Sequence, residues 1–496
     1  MMHRSLADRA ARLALLIGLL SCGCVALVSC AVGPDYERPK AAVPDRYKEA
    51  QDWQGAQPAD RAARGPWWEM FADRDLDQLE EQAARANLDV AVAQAHYRQT
   101  QAATDLARAS FFPTISASAA VTRSSNTTAG LALAPETLRN VAVSASWVPD
   151  LWGEVRRTVE QAHANEESNA GNLGAAVLSL QSDLATDYFA LRVDDEQQRL
   201  LEEAVKAYQY SLELTLSRYR GGVAARTDVV QAQAQLEATR AQAIDVGVQR
   251  AQMEHAIAVL LGKAPAEFAL ARRDFSVTIP AVPAELPSSL LERRPDVAAA
   301  ERLAAAANAQ IGIAQAAYYP SLTLSANGGY RSPSGTQLFS APYRYWSLGP
   351  SLAETLFDAG ARSASKREAI ASYDAAVATY RKSVLTALQN VEDQLVALRL
   401  LSQESTVEDA AVQAAEENLR LTTNQYKGGT VSYLNVIIAQ TTALTDRITA
   451  LTIHGRQLAA TVQLVAGLGG DWNVRQLTEQ QADASSAPAG NDASAK

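Results

Sequence analysis

The sequence predicts a mixed α/β membrane protein made of two copies of one unit, each copy supplying long helices and two strands. Three observations predict it. Similar phrases recur 207 residues apart along the chain. Stretches of about 60 residues run without interior proline in sequence with much Ala and Gln and modest Leu, which favours very long helices. Between the helical stretches lie short runs in which apolar and small polar residues alternate, the period of a strand.

The chain opens with Arg4, Arg9 and Arg12, then an apolar run from Ala11 to Leu20 and small residues, the pattern of a secretory signal peptide over residues 1–29. Leu27-Val28-Ser29-Cys30 has the form of a bacterial lipobox, so Cys30 is expected to carry a diacylglyceryl group and an amide-linked fatty acid (palmitate), with Cys22 as the alternative. Ala31, rather than Asp, after the cysteine points to the outer membrane. No cysteine follows Cys30, so the exported chain has no internal disulfide and no thiolate metal site. Removing residues 1–29 leaves 42 Lys+Arg against 54 Asp+Glu, a balance of −12 that excludes a nonspecific nucleic-acid binder. Residues 30–72 form an N-terminal segment, and 473–496 a polar tail expected to be disordered.

The repeats span 73–265 and 293–472, with a linker at 266–292. Asp89-Val90-Ala91 matches Asp296-Val297-Ala298, Phe111-Phe112-Pro113 matches Tyr318-Tyr319-Pro320, and Ala190-Leu191-Arg192 matches Ala397-Leu398-Arg399, all in one register. Each repeat begins with a helix, about 73–109 and 293–317, stopped by an aromatic pair and proline. ISASAAVTRS and VAVSASWVPD in the first repeat, LTLSANGGYR and WSLGPSLAET in the second, then read as strands. Long helices follow Gly153 and Gly360 and run to Tyr219 and Tyr426. There the chain writes YRGGVAARTDVV and YKGGTVSYLNVI. Gly221-Gly222 and Gly428-Gly429 end the long helices and make hairpin tips, since glycine tolerates positive φ. Asp228 and Asn435 stand at the start of the returning helices, which end at Leu260 and near Val465. Asp228 is read either as a helix cap or as one member of a charged ring at a pore constriction.

Four strands cannot close a barrel in lipid, and open edges cannot lie in hydrocarbon. A membrane barrel would therefore need several chains; three would give twelve strands. Trp147, Trp152, Tyr330, Tyr343, Tyr345, Trp346 and Phe357 fall near strand ends, as either an interfacial belt or ordinary packing. No enzyme constellation is present: His96, His163, His255 and His454 are scattered and none opens an H-E-x-x-H run. Ala466-Gly-Leu-Gly-Gly470 follows a helix instead of opening one after a strand, and no G-x-x-x-x-G-K-[ST] occurs.

From Cys30 to about Trp472 the chain resembles outer membrane efflux proteins of the TolC type, in their NodT-like lipoprotein branch. The resemblance rests on Cys30-Ala-Val-Gly-Pro-Asp-Tyr-Glu-Arg-Pro39, Trp67-Trp68 with Phe71-Ala-Asp-Arg-Asp-Leu76, Asp150-Leu-Trp-Gly153, Leu291-Glu-Arg-Arg-Pro-Asp296, Leu356-Phe-Asp358 and both Tyr-x-Gly-Gly phrases. It implies a homotrimer with a twelve-stranded barrel, continued by a periplasmic tunnel of helices. The implied partners are a periplasmic adaptor, an inner-membrane transporter expected to be proton-driven, and outer-membrane lipid. Tyr219, Gly221, Gly222, Tyr426, Gly428 and Gly429 would then form the periplasmic tips where the adaptor docks, and Asp228 and Asn435 a candidate constriction. Asn435 stands where the family often has an acidic residue. The implied function is an exit duct for drugs or other small molecules, without cofactor or metal. The alternative is a periplasmic coiled-coil scaffold lipoprotein without a pore.

Overall fold

The computed structural model describes residues 31–49, 66–125, 127–128, 131–132, 135–273, 275, 277–280, 282 and 293–472. The expected signal peptide, the lipidation candidates Cys30 and Cys22, residues 283–292 of the linker and the tail lie outside the described residues. A short 3-10 turn, Trp67–Phe71, leads into α1 (Arg74–Ala86) and α2 (Leu88–Ala109). Then come β1 (Thr114–Ser124), the two-residue strands β2 (Thr127–Thr128) and β3 (Leu131–Ala132), and β4 (Glu136–Trp147). Helix α3 (Glu154–Arg220) and α4 (Arg226–Leu260) follow. The second half repeats the order with α5 (Pro295–Ala316), β5 (Ser321–Ser332), β6 (Arg344–Ala353), α6 (Ala361–Lys427) and α7 (Tyr433–Gly467).

Helices α3 and α6 each have 67 residues, about 100 Å of helix at 1.5 Å per residue. One expectation needs correction: the first helix is not continuous over 73–109. It breaks at Asn87, whose backbone is extended and whose Oδ1 accepts from Val90 N at 2.9 Å, capping α2. The Asn87 amide also donates to Leu260 O at 2.9 Å. A side chain that caps one helix and closes the end of another makes a break that composition does not reveal. The first strand loop likewise carries the small β2–β3 pair, which the sequence pattern did not suggest.

The chain forms two compact units, and each draws on both halves of the sequence. The first holds residues up to Lys40, Tyr97–Ser168 and Ala300–Tyr380. Its centre is one antiparallel sheet in the order β1-β4-β5-β6. The N-terminal segment is strapped across this unit. Val32 N donates to Trp152 O at 3.0 Å. The buried Arg157 guanidinium donates to the carbonyls of Val32 and Gly33 and pairs with Asp35 at 2.8 Å and Glu160 at 2.7 Å. Asn308 donates to Pro34 O, and Tyr36 OH donates to Glu301 at 2.5 Å. Gly33 has φ +100°, and a Cβ there would lie 2.5 Å from the Gly312 Cα, so the strap seats only where two glycines meet.

The second unit holds Ala41–His96, Asn169–Ala299 and the chain from Arg381. Trp67, Trp68 and Phe71 are buried. Phe71 packs on Phe189 with ring centroids 4.8 Å apart, and Trp67 Nε1 donates to Gln181 Oε1. Asp73 caps α1 through Asp75 N and accepts from the Tyr188 hydroxyl at 2.8 Å. Beside it Arg192 pairs with Asp75 and with the buried Asp195, both at 3.1 Å, and donates to Ala271 O. Arg250 reaches the other oxygen of Asp195 at 2.6 Å and donates to Leu270 O. These two arginines pin the segment after α4 onto α3.

Glu80 on α1 is 1 % exposed, and neither carboxylate oxygen has a hydrogen-bond partner among the described residues. Burial pushes its pKa from the ordinary 4.5 up to about 9. The folded state therefore holds a proton that the unfolded chain releases. The favourable contribution is fully present below pH 4.5 and is lost as pH rises toward 9. Thermal unfolding should show stability falling across that window, and Glu80→Gln should flatten the slope.

Candidate functional site

Side chains on a strand alternate between faces, and the unbroken register of the four-stranded sheet sorts every residue. One face carries Ile115 and Val121 of β1, Val141, Val143 and Trp147 of β4, Leu322 and Leu324 of β5, and Trp346, Leu348 and Leu352 of β6. The other carries serines, threonines, small residues, Asn140, Asn327 and Arg331. Its hydrogen bonds agree: Ser116 and Ser144 hydroxyls meet at 2.8 Å, and Tyr345 OH donates to Asn140 Oδ1 at 2.9 Å. The apolar face is open to its surroundings, with Ile115, Val121, Trp346 and Leu348 each at least 70 % exposed. Strands β1 and β6 each lack a partner on their outer edge among the described residues. An amphipathic sheet with two free edges suits lipid on one side and water on the other once its edges are paired. Among the described residues no helix is long and apolar enough to cross a membrane.

The aromatics divide. Trp147, Tyr330 and Trp346 stand on the apolar face, and Phe357 is exposed just beyond β6. Tyr345 lies on the polar face, where Arg331 stacks over its ring at 5.0 Å. Trp152 stacks on Tyr319 at 4.9 Å and donates to Pro320 O, so it braces the join of sheet and helix. At the same level Asp150 accepts from Val155 N and Arg156 N, and Asp358 from Gly360 N and Arg362 N, capping the two long helices.

The tips belong to the second unit. Gly222 and Gly429 have φ +72° and +80°. Val223 N reaches Arg218 O at 2.9 Å and Gly222 N reaches Tyr219 O; Thr430 N reaches Gln425 O and Gly429 N reaches Tyr426 O at 3.0 Å. Both long helices thus end in the same glycine cap, with the outer and inner bonds of a Schellman motif. Gly221 and Gly428 do not adopt positive φ, so only the second glycine of each pair is conformationally required. Gly429→Ala should cost about 1–2 kcal/mol and Gly428→Ala much less, as thermal melts of the two variants would show.

The paired tyrosines are not equivalent. Tyr219 is 40 % exposed, whereas Tyr426 is 5 % exposed. Arg218 donates to Tyr426 O at 2.9 Å and lies 4.6 Å above its ring. Tyr426 packs on Tyr433 at 5.3 Å, and Ala232 and Val436 complete a small core joining the two hairpins. Burial pushes the Tyr433 hydroxyl up to about 12. Neither Arg218 nor Tyr433 stood out in the sequence, although Tyr433 lies within the second tip phrase. Asp228 Oδ2 accepts from Ala225 N at 3.3 Å, which caps the start of α4. Asn435 is exposed, beside exposed Leu434 and Ile438. No group of three or more His, Cys, Asp or Glu suited to a metal occurs among the described residues.

Long helices ending in capped hairpins, with one amphipathic four-stranded sheet, define a class of channel subunit rather than an enzyme scaffold. The sequence matches the family described as outer membrane efflux protein over residues 79–263 and 286–470. The chain belongs to that family. It is similar to the toluene efflux pump outer membrane protein TtgC of Pseudomonas putida, at 32 % identity over 463 residues, covering 92 % of this chain and 96 % of the relative. It is also similar to nodulation protein T of Rhizobium leguminosarum bv. viciae, at 31 % identity over 84 % of this chain and 85 % of the relative. Among solved structures, the outer-membrane channel OprN superposes with TM-score 0.83 at 30 % identity, covering 89 % of this chain and 99 % of that one. The open-state MtrE channel of Neisseria gonorrhoeae gives 0.79 at 27 % identity, covering 90 % and 99 %. The chain is thus an outer-membrane exit duct of a tripartite efflux pump and not an enzyme, which decides against the scaffold alternative.

Proposed function

We propose that three copies of this chain close a twelve-stranded barrel in the outer membrane, and that the helices continue it as a periplasmic tunnel. The observation that carries this reading is the sheet: apolar on one face, polar on the other, with β1 and β6 free to pair with neighbouring copies. Internal duplication with a 207-residue offset underlies the design. It is supported by helix pairs of equal length, 22, 67 and 35 residues, whose starts differ by that number: Leu88 and Pro295, Glu154 and Ala361, Arg226 and Tyr433.

Cys30 is the lipidated residue in this reading, and the chain belongs to the NodT-like branch. Support comes from Ala31 lying against Gly153, where the sheet joins α3, so that the segment after the lipobox is anchored at the helix-side end of the sheet. Lipidation at Cys22 would insert eight residues between anchor and strap. Mass spectrometry of the mature N-terminal peptide distinguishes the two, and an unmodified peptide starting elsewhere would refute both.

The tips at Tyr219, Gly221, Gly222, Tyr426, Gly428 and Gly429 dock a periplasmic adaptor, which connects the duct to a proton-driven inner-membrane transporter. Relatives are named for toluene, solvent, antibiotic and pyoverdine export; this chain carries drugs or other small molecules of that kind. Asp228 and Asn435 face the constriction. Asp228→Asn keeps a capping side chain but removes the charge, so it should lower cation preference without lowering trimer stability. Unchanged ion preference would leave Asp228 with the cap alone.

A further inference from the structure

The apolar face of the sheet carries three arginines, and all stand at the end where strands meet loops. Arg123 of β1 shares the face of Val121, Arg139 of β4 that of Val141, and Arg344 of β6 that of Trp346. No Asp or Glu of the four strands lies on this face. Arg123 and Arg344 are exposed and have no carboxylate partner among the described residues. Arg139 is half-buried and donates to Pro333 O at 2.6 Å, so its guanidinium is held at the rim.

Their heights agree. Arg123 is opposite Thr137, Arg139 is opposite Val121 and Ser332, and Arg344 is opposite Tyr330, which itself faces Val141. Measured along β4, the arginines step from position 137 to 139 to 141, four residues over the three strand spacings from β1 to β6. At about 3.3 Å per residue and about 4.8 Å per spacing, that line slopes by roughly 40°. Strands in barrels tilt by about 35–45°. The loop-side strand ends step the same way: Ser124 is opposite Glu136, Ser332 opposite Arg139, and Arg344 opposite Tyr330. In a closed barrel the three guanidiniums of each chain therefore lie at one level, just beyond the apolar band.

We infer that Arg123, Arg139 and Arg344 form an outward-facing girdle that binds phosphate-bearing headgroups of the lipid leaflet on the loop side. Guanidinium offers paired donors matched to phosphate oxygens, and the stems lie along apolar surface while the heads reach the headgroup level. A small soluble anion does not suit the site, because the arginines sit on separate strands at the rim of a lipid-facing surface, not around one pocket. The inference rests on the barrel reading above and adds a lipid chemistry to it.

The test is native mass spectrometry of the intact detergent-solubilised trimer, titrated with lipid A, a diphosphorylated glycolipid, and with its dephosphorylated form. Wild-type protein should retain the diphosphorylated lipid and lose most retention when the phosphates are removed. The variant Arg123→Gln/Arg139→Gln/Arg344→Gln should bind the diphosphorylated lipid about a hundredfold more weakly while keeping trimer mass and channel conductance. Equal retention of both lipids by the wild type overturns the girdle without reference to any variant's folding. Retention unchanged in the triple variant also overturns it, as does competition by millimolar inorganic phosphate as effective as the lipid itself. A wild-type chain that is neither trimeric nor conducting overturns the barrel reading instead, so the two failures are separable.

Discussion

Leu348→Arg is expected to abolish assembly in the outer membrane, whereas Ser347→Arg one residue away should be tolerated. The two positions are adjacent on β6 but face opposite sides of the sheet. Leu348 opposes Ala326 in the middle of the apolar band and is 76 % exposed in the single chain. An arginine at the bilayer midplane costs about 2–4 kcal/mol, and the proposed homotrimer would place three of them in lipid at once. Ser347 opposes Asn327 on the polar face, where water can solvate a guanidinium. Ser347→Arg should therefore insert normally and alter ion preference. Heat-modifiable migration of outer-membrane fractions reads both outcomes. If both substitutions behave alike, the sheet does not have a lipid side and a water side.

Arg192→Met should be the most destabilising single change in the helical part. The Arg192 side chain is 3 % exposed, and its partner Asp195 is 2 % exposed. Removing the arginine leaves Asp195 with Arg250 only, breaks the pair with Asp75 and frees the Ala271 carbonyl. Breaking a buried pair from one side costs about 3–5 kcal/mol. Arg199 is the control. It also pairs with two carboxylates, Glu196 and Glu203, but its side chain is 46 % exposed. Arg199→Met should cost about 0–1 kcal/mol. Denaturant unfolding of the two variants should separate them clearly.

Periodicity made much of the fold legible. The alternation in ISASAAVTRS and VAVSASWVPD already sorted one face from the other, because strand geometry leaves no other choice. The Tyr-x-Gly-Gly phrases announced the tips because left-handed caps need glycine. What stayed hidden were roles set by packing between distant segments. Tyr219 and Tyr426 are matched in sequence, yet one is exposed and the other lies beneath Arg218. The break at Asn87 needs the end of α4 to be near, which no local pattern encodes. Arg157 reads as an ordinary helical arginine until residues 32–35 are laid across it. Glu80 reads as part of a charged helix face, and only tertiary burial strips its partners away.

Single-channel recording of the purified protein in a planar bilayer, on material whose mass has been determined, asks whether the chains close a conducting barrel. The expected result is a trimer with discrete conductance steps that Ser347→Arg alters and Leu348→Arg eliminates by preventing insertion. A monodisperse monomer or dimer that neither inserts nor conducts, under conditions where the sheet is folded, would contradict it.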